Sequence, residues 1–187
     1  MSVKSKVYKI VLLGEGGVGK TALRHRYLGA GFKQSYSMTI GADFAAKRTN
    51  VDDKDVTLQI WDLAGQGRFQ SVREVYYKGS LGALLVFDIT RQDTYNVIPN
   101  WITELMENNG NKMVPLVLIG NKGDLRGQTE EQVPVEACNQ YASMLSDWSG
   151  YNVPYVETSA LSGENVENAF AELIRNVGAY LDKLRSQ

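Results

Sequence analysis

Residues 7–13 form a short apolar run, and directly behind them stands Gly14-Glu15-Gly16-Gly17-Val18-Gly19-Lys20-Thr21. No other stretch limits the fold so sharply. A run of that length reads as a buried strand, and the loop after it must deliver the chain into a helix starting near Lys20. The glycines let successive backbone N–H groups converge on one concave surface, where side chains would crowd an anion or demand a forbidden φ. Lys20 adds a mobile positive charge, and the helix points the positive end of its dipole into the loop. The Thr21 hydroxyl can ligate Mg²⁺. The pattern G-x-x-x-x-G-K-[ST] is therefore a cradle for phosphates. Its plain alternative is a strand-to-helix turn that uses glycine for tightness.

Around that loop, residues 56–61, 81–89, 116–120 and 153–157 are further short runs rich in Val, Ile and Leu, separated by amphipathic stretches. Such alternation indicates a parallel sheet with helices on both faces. Val56, Leu58 and Ile60 alternate with Thr57, Gln59 and Trp61, which places that strand near a sheet edge. Residues 42–51 read as its antiparallel hairpin mate, turned at Asp52-Asp53-Lys54. Helices are expected over about 20–29, 94–108, 134–148 and 164–184. In the last, Val166, Phe170, Leu173, Ile174, Val177, Leu181 and Leu184 make a stripe for the core. Tyr141, Met144, Leu145 and Trp148 also follow helical spacing and are read as core. Lys47-Arg48, Asp52-Asp53 and the Arg24-His25-Arg26 helix face are read as solvated charge.

A chain of 187 residues suits one well-buried core, so residues 1–187 are expected to form a single domain. A net charge of −1 offers no field for nucleic acid. The longest apolar run, residues 81–87, cannot span a bilayer, and the single cysteine, Cys138, precludes an internal disulfide and is read as core packing. Position 2 is Ser rather than a myristoylatable Gly, and the last residues carry no prenylatable cysteine. The expectation is a cytoplasmic chain without a lipidation site.

Strand ends should carry the remaining chemistry, because ligands of such sheets bind outside the carboxyl ends. Trp61-Asp62-Leu63-Ala64-Gly65-Gln66 follows one strand. Asp62 can hold Mg²⁺ through its water, or be a solvated loop aspartate. Gly65 can bring a backbone N–H to a terminal phosphate, and Gln66, both donor and acceptor, can orient an attacking water. Asn121-Lys122-Gly123-Asp124 ends another. A carboxylate there accepts from the ring N1–H and exocyclic amine of guanine, donors that adenine lacks on that edge. Asn121 can tie this loop to the phosphate loop, and the Lys122 stem can cover a ring face. Glu157-Thr158-Ser159-Ala160 offers a backbone N–H at Ala160 for a purine carbonyl, or is a plain strand-to-helix connection.

These motifs, in this order and spacing, are similar to those of the small GTPases of the Ras superfamily, and Thr39-Ile40-Gly41-Ala42-Asp43-Phe44 with Arg68-Phe69 resembles the Rab branch. The resemblance covers residues 6–184. It implies an α/β P-loop NTPase fold, a small G domain with a six-stranded mixed sheet, five strands parallel and one antiparallel. It implies GTP and GDP as substrate and product, with Mg²⁺ held by Thr21, Thr39 and, through water, Asp62. Nucleotide contacts would come from Glu15, Gly16, Gly17, Val18, Gly19, Lys20, Thr21, Ala22, Phe32, Tyr36, Thr39, Gly65, Asn121, Lys122, Asp124, Ser159 and Ala160. Gln66, Lys20 and Gly65 would be catalytic, with Gly16 leaving room for Gln66. Switch I (about 32–44) and switch II (about 63–77) would report the γ-phosphate to effectors. Phe44, Trp61 and Tyr76 match an effector-facing trio, although those residues are as easily core as interface. An exchange factor and an activating protein that supplies an arginine are the other expected partners, since no arginine lies close before Thr39.

Leu63, Gly67 and Glu15 depart from the Rab pattern, and Gly67 adds backbone freedom beside Gln66. Two other readings stay open on the residues: an ATP-using P-loop enzyme, against which Asp124 argues, and a module that binds nucleotide without cycling.

Overall fold

A computed structural model of the chain describes residues 6–31 and 39–186. β1 (Lys6–Leu13) enters α1 (Lys20–Tyr27) through the glycine-rich loop, and β2 (Ala42–Val51) and β3 (Lys54–Leu63) form the hairpin. Then come α2 (Gln70–Tyr77), β4 (Gly82–Asp88), α3 (Gln92–Asn96), α4 (Ile98–Asn108), β5 (Leu116–Asn121), α5 (Val135–Ser149), β6 (Tyr155–Thr158) and α6 (Val166–Arg185). The sheet order is β2-β3-β1-β4-β5-β6, with β2 antiparallel to β3 and every other pairing parallel. This is the mixed six-stranded sheet that the resemblance implied.

The apolar runs become strands because helices cover both faces. β4 and β5 are buried at every position, as a strand sandwiched between layers must be. On one face Ile10, Leu12, Leu58, Ile60, Leu84 and Val86 pack under α1 and α6; on the other Val11, Leu13, Leu85, Phe87 and Leu118 pack under α4 and α5. β2 is the edge. Its hairpin turns on two residues, Asp52 (φ 50°) and Asp53 (φ 61°), both left-handed, which is the geometry whose twist matches paired strands.

Several expectations need correction. The helix expected over 94–108 is two helices, broken at Val97 (φ −93°, ψ 1°). Pro99 has no N–H and clashes in a helix interior, so it starts a new helix in the first turn of α4. α2 was not expected as a helix. On α6, Val166, Phe170, Leu173, Ile174 and Val177 are core and Leu181 packs against it, but Leu184 is 51% exposed, one turn past the sheet. On α5 the buried stripe is Cys138, Ala142 and Leu145; Met144 (66%) and Trp148 (58%) face outward. Lys47 is not simply solvated either. Its ammonium lies 3.6 Å above the Tyr27 ring, donates to the Tyr27 carbonyl and pairs with Glu167, while Asp52 pairs with Arg175 of α6. Arg24 is buried on Asp43, and His25 is half-buried beside it.

Leu173→Ala empties a fully buried site and should lower unfolding free energy by about 2–5 kcal/mol, whereas Leu184→Ala should change it by less than about 0.5 kcal/mol. Urea denaturation of the two variants measures the contrast.

Candidate nucleotide site

Every parallel strand ends at the same rim of the sheet, and the motif residues gather there. Lys20 opens α1 and is buried; its Nζ donates to the Gly14 carbonyl at 2.6 Å and the Glu15 carbonyl at 3.0 Å. Burial pulls its ammonium down to about 8, since the charged form is cut off from water. Thr21, next on the helix, donates from Oγ1 to Asp62 Oδ2 at 2.5 Å and lies 2.9 Å from Thr39 Oγ1. Asp62 is fully buried at the end of β3, opposite Asp43 of β2. Its Oδ1 has no hydrogen-bond partner among the described residues. Burial pushes the carboxyl up, against the pull of Thr21 and Lys20.

Close backbone packing builds the phosphate side. A Cβ on Gly65 would stand 2.4 Å from the Gly14 oxygen and the Glu15 carbonyl carbon and 2.5 Å from the Gly16 nitrogen. Only glycine lets the Asp62-to-Gln66 loop rest on the cradle in this way. A Cβ on Gly16 would stand 3.5 Å from Gln66 Cγ, an ordinary contact. Gln66 thus lies beside the cradle.

The base side is cross-linked. Asn121 Nδ2 donates to the Val18 carbonyl at 2.8 Å, and its Oδ1 accepts from Thr158 Oγ1 at 3.1 Å and from the Ala160 N–H at 3.2 Å. The Ala160 N–H therefore points into Asn121. Gly19 (φ +99°) sits so close that a Cβ would fall 2.2 Å from Asn121 Nδ2. Asp124 Oδ1 accepts from Ser159 Oγ at 2.5 Å, and Lys122 Nζ pairs with buried Asp88 Oδ2 at 2.6 Å. Glu15, Gly17 and Ala22 lie half-buried on the loop and the first turn of α1, and Val18 is buried. Phe32 and Tyr36 lie outside the described residues.

Phe44, Trp61 and Tyr76 form one aromatic row, with ring centroids 4.9 Å apart for Phe44 and Trp61 and 5.1 Å for Trp61 and Tyr76. Trp61 and Tyr76 pack on the core while Phe44 is 46% exposed, so the row joins the interior to the surface.

Arg73 escaped the sequence reading. It is buried on α2, grips Glu104 of α4 through Nε and Nη2 at 2.8 Å each, and donates from Nη1 to the carbonyls of Ala64 (2.9 Å) and Gln66 (2.8 Å). Tyr77 adds a 2.7 Å bond to the same carboxylate, and the guanidinium stacks 4.5 Å from the Trp101 ring. Arg73 fixes the two carbonyls that flank Gly65. No local spacing announces such a contact.

The family model described as Ras family matches residues 9–179. The chain belongs to the Ras family. It is 41% identical over 180 residues to the cattle (Bos taurus) Ras-related protein Rab-4A, covering 96% of this chain and 77% of that protein. It is 40% identical over 177 residues to Ras-related protein RABA1c of Arabidopsis thaliana, covering 95% and 78%, and 41% identical over 177 residues to Ras-related protein Rab11D of Lotus japonicus, covering 95% and 77%. It is thus a Rab-like Ras-superfamily GTPase, an enzyme that hydrolyses GTP. No helix among the described residues is long and apolar enough to cross a membrane.

In this small GTPase, Gly19→Ala forces a side chain onto Asn121 and should release bound guanine nucleotide at least ~100-fold faster, through strain and loss of the Val18 tie, each worth about 1–3 kcal/mol. Gly67→Ala meets nothing within 4 Å among the described residues and should leave nucleotide retention unchanged. Dissociation of a fluorescent GDP from both variants measures the difference.

Proposed function

We propose that the chain is a single guanine-nucleotide switch domain, slow at GTP hydrolysis on its own, whose two switch segments report the γ-phosphate to effectors in a Rab-like trafficking role. The observation that carries this reading is the meeting of Thr21, Thr39 and Asp62. One comes from the cradle, and the other two stand at the edges of the segments that would report.

The donor set fits Mg²⁺. Two hydroxyl oxygens and one buried carboxylate, with Asp62 Oδ1 left without a partner among the described residues, form a hard-oxygen corner that a small divalent ion, keeping waters and phosphate oxygens as its other ligands, would complete. Thr21 and Thr39 would hold it directly and Asp62 through water; when bound, it supplies positive charge to the phosphate oxygens. Lys20 turns its ammonium from the two backbone carbonyls to phosphate oxygens, whose negative charge offsets the cost of its burial. Asp124 selects guanine once Ser159 Oγ yields or shares its carboxylate. Lys122 keeps its stem along the base plane while its head stays on Asp88.

Gln66, set against Gly16, orients the attacking water, and the Gly65 N–H holds the γ-phosphate. Hydrolysis removes the group that Thr39 and Gly65 both grip, so the two segments relax. Effectors then read residues 39–44, 63–77 and the row of Phe44, Trp61 and Tyr76. An exchange factor that pries these segments apart reloads the site, and an activating protein that brings an arginine to the γ-phosphate shortens the GTP state. Trafficking is supported by the relatives, which are named as Rab proteins.

Single-turnover hydrolysis should run at about 10⁻⁴–10⁻³ s⁻¹ for the wild type and at least ~10-fold slower for Gln66→Leu. Equal rates would make the chain a binding module. GDP should bind at least ~100-fold more tightly than ADP, as expected where the partly buried carboxylate of Asp124 must be matched. Hydrogen exchange over residues 39–44 and 63–77 should slow with a non-hydrolysable GTP analogue relative to GDP, and identical profiles would remove the switch.

A further inference from the structure

β4 is hydrogen-bonded to β1, so the loop that leaves β4 emerges beside the phosphate loop. Its last residue, Arg91, has a fixed backbone. The Arg91 N–H donates to the Asp88 carbonyl at 2.9 Å, and its own carbonyl accepts from the Thr94 N–H at 3.1 Å and Thr94 Oγ1 at 2.7 Å. The side chain, 43% exposed, lies over the cradle. Nη1 donates to the Gly16 carbonyl at 3.3 Å and stands 3.8 Å from the place a Cβ on Gly17 would take. Nη2 donates to Asp93 Oδ2 at 2.8 Å. Gly16 therefore has Gln66 against its Cβ position and the Arg91 guanidinium on its carbonyl. A cation already sits beside the residue that adjoins the water-orienting glutamine.

We propose that Arg91 is an arginine finger carried by the chain itself, parked on Gly16 and Asp93, that swings over the rim of the loop to the γ-phosphate during hydrolysis. The inference rests on the reading of the chain as a GTP-hydrolysing switch, and it adds a source of arginine inside the chain to the one a partner would bring. In the reaction the water oxygen bonds to the γ-phosphorus, the bond to the β–γ bridging oxygen breaks with its electron pair left on GDP, and the water proton ends on the released phosphate. Arg91 exchanges no proton. Its planar N–H groups meet the charge that builds on the bridging and γ oxygens, a task suited to a cation that stays protonated and presents paired donors. Leaving the parked position costs little. A 3.3 Å bond is at the long limit of useful geometry, and an exposed ion pair contributes little in water. Asp93 acts as a brake, which accounts for slow turnover with an arginine so near.

Single-turnover GTP hydrolysis of the full chain is compared for the wild type, Arg91→Ala, Arg91→Lys and Asp93→Asn, with GDP affinity measured for each. Arg91→Ala should be about tenfold slower, less than the ~10³–10⁵ of a fully engaged finger because the guanidinium is parked most of the time. Arg91→Lys should recover little of the rate, Asp93→Asn should be several-fold faster, and GDP affinity should stay within about twofold throughout. Aluminium fluoride with GDP, a mimic of the transferring phosphoryl group, should be captured by the wild type without any partner and not by Arg91→Ala. Equal hydrolysis by the wild type and Arg91→Ala overturns the proposal, as does a loss confined to nucleotide affinity, which would make Arg91 only an electrostatic contact of the loop. A wild type that binds GTP and never hydrolyses it overturns the switch reading as well; a wild type that turns over at the Arg91→Ala rate overturns the finger alone.

Discussion

One buried amide holds the rim of this sheet together. Asn121 ends β5 between Asp88 of β4 and Thr158 of β6, and its side chain reaches from there to the Val18 carbonyl of the phosphate loop. Three loops meet on that side chain because Asn presents a donor and an acceptor in one plane, and each is used. Removing it would strand a buried carbonyl, a hydroxyl and an N–H, at about 1–3 kcal/mol for each group left unpaired. The phosphate grip and the base grip therefore cannot drift apart. Gly19 is the counterpart of this contact, since any side chain there would occupy the space of the amide.

The charges buried around that amide are balanced in a particular way. Arg73 is paired with Glu104 and Asp88 with Lys122, each charge beside its opposite. Lys20 and Asp62 instead hydrogen-bond to neutral groups, two carbonyls and a hydroxyl. Burial lowers the affinity of Lys20 for its proton and raises that of Asp62, so the charged form of each is costly where it stands. Ligands that bring negative charge to Lys20 and positive charge to the open oxygen of Asp62 relieve both at once. A nucleotide polyphosphate with a divalent ion has that pair of charges. The site is built to be finished by its ligand, in contrast with the ion pairs around it.

What the sequence disclosed and what it withheld divide along one line. Gly14 to Thr21, Asp62 to Gln66 and Asn121 to Asp124 are local patterns at strand ends, and the sheet collects strand ends, so their convergence was readable. The strands were readable too, since β4 and β5 had to be apolar throughout. Contacts between distant segments were not. Arg24 meets Asp43 across 19 residues, Arg73 meets Glu104 across 31 and Arg91 meets Gly16 across 75, and no spacing rule connects such pairs. Helical periodicity placed Tyr141 and Leu145 of α5 on the core correctly but also Met144 and Trp148, which face outward while Cys138 and Ala142 complete the buried stripe.

The two halves of the site are also secured unequally, and that inequality decides which half can switch. On the base side Asn121, Asp124, Lys122 and the pairing of Arg126 with Glu157 lock one loop to another through side chains. Moving that half would break several bonds together. On the phosphate side, among the described residues, Thr39 reaches the cradle through a hydroxyl contact with Thr21. The segment after Asp62 touches the cradle through the bare backbone of Gly65, with Arg73 holding the carbonyls on either side. Arg73 makes that segment move as a piece with α2 instead of fraying residue by residue. In the proposed switch, a γ-phosphate that added one bond at Thr39 and one at Gly65 would contribute a few kcal/mol, about the amount that inverts a two-state equilibrium, where moving the base side would require several times more. Such a molecule would change shape at its edge and keep hold of the nucleotide at its centre.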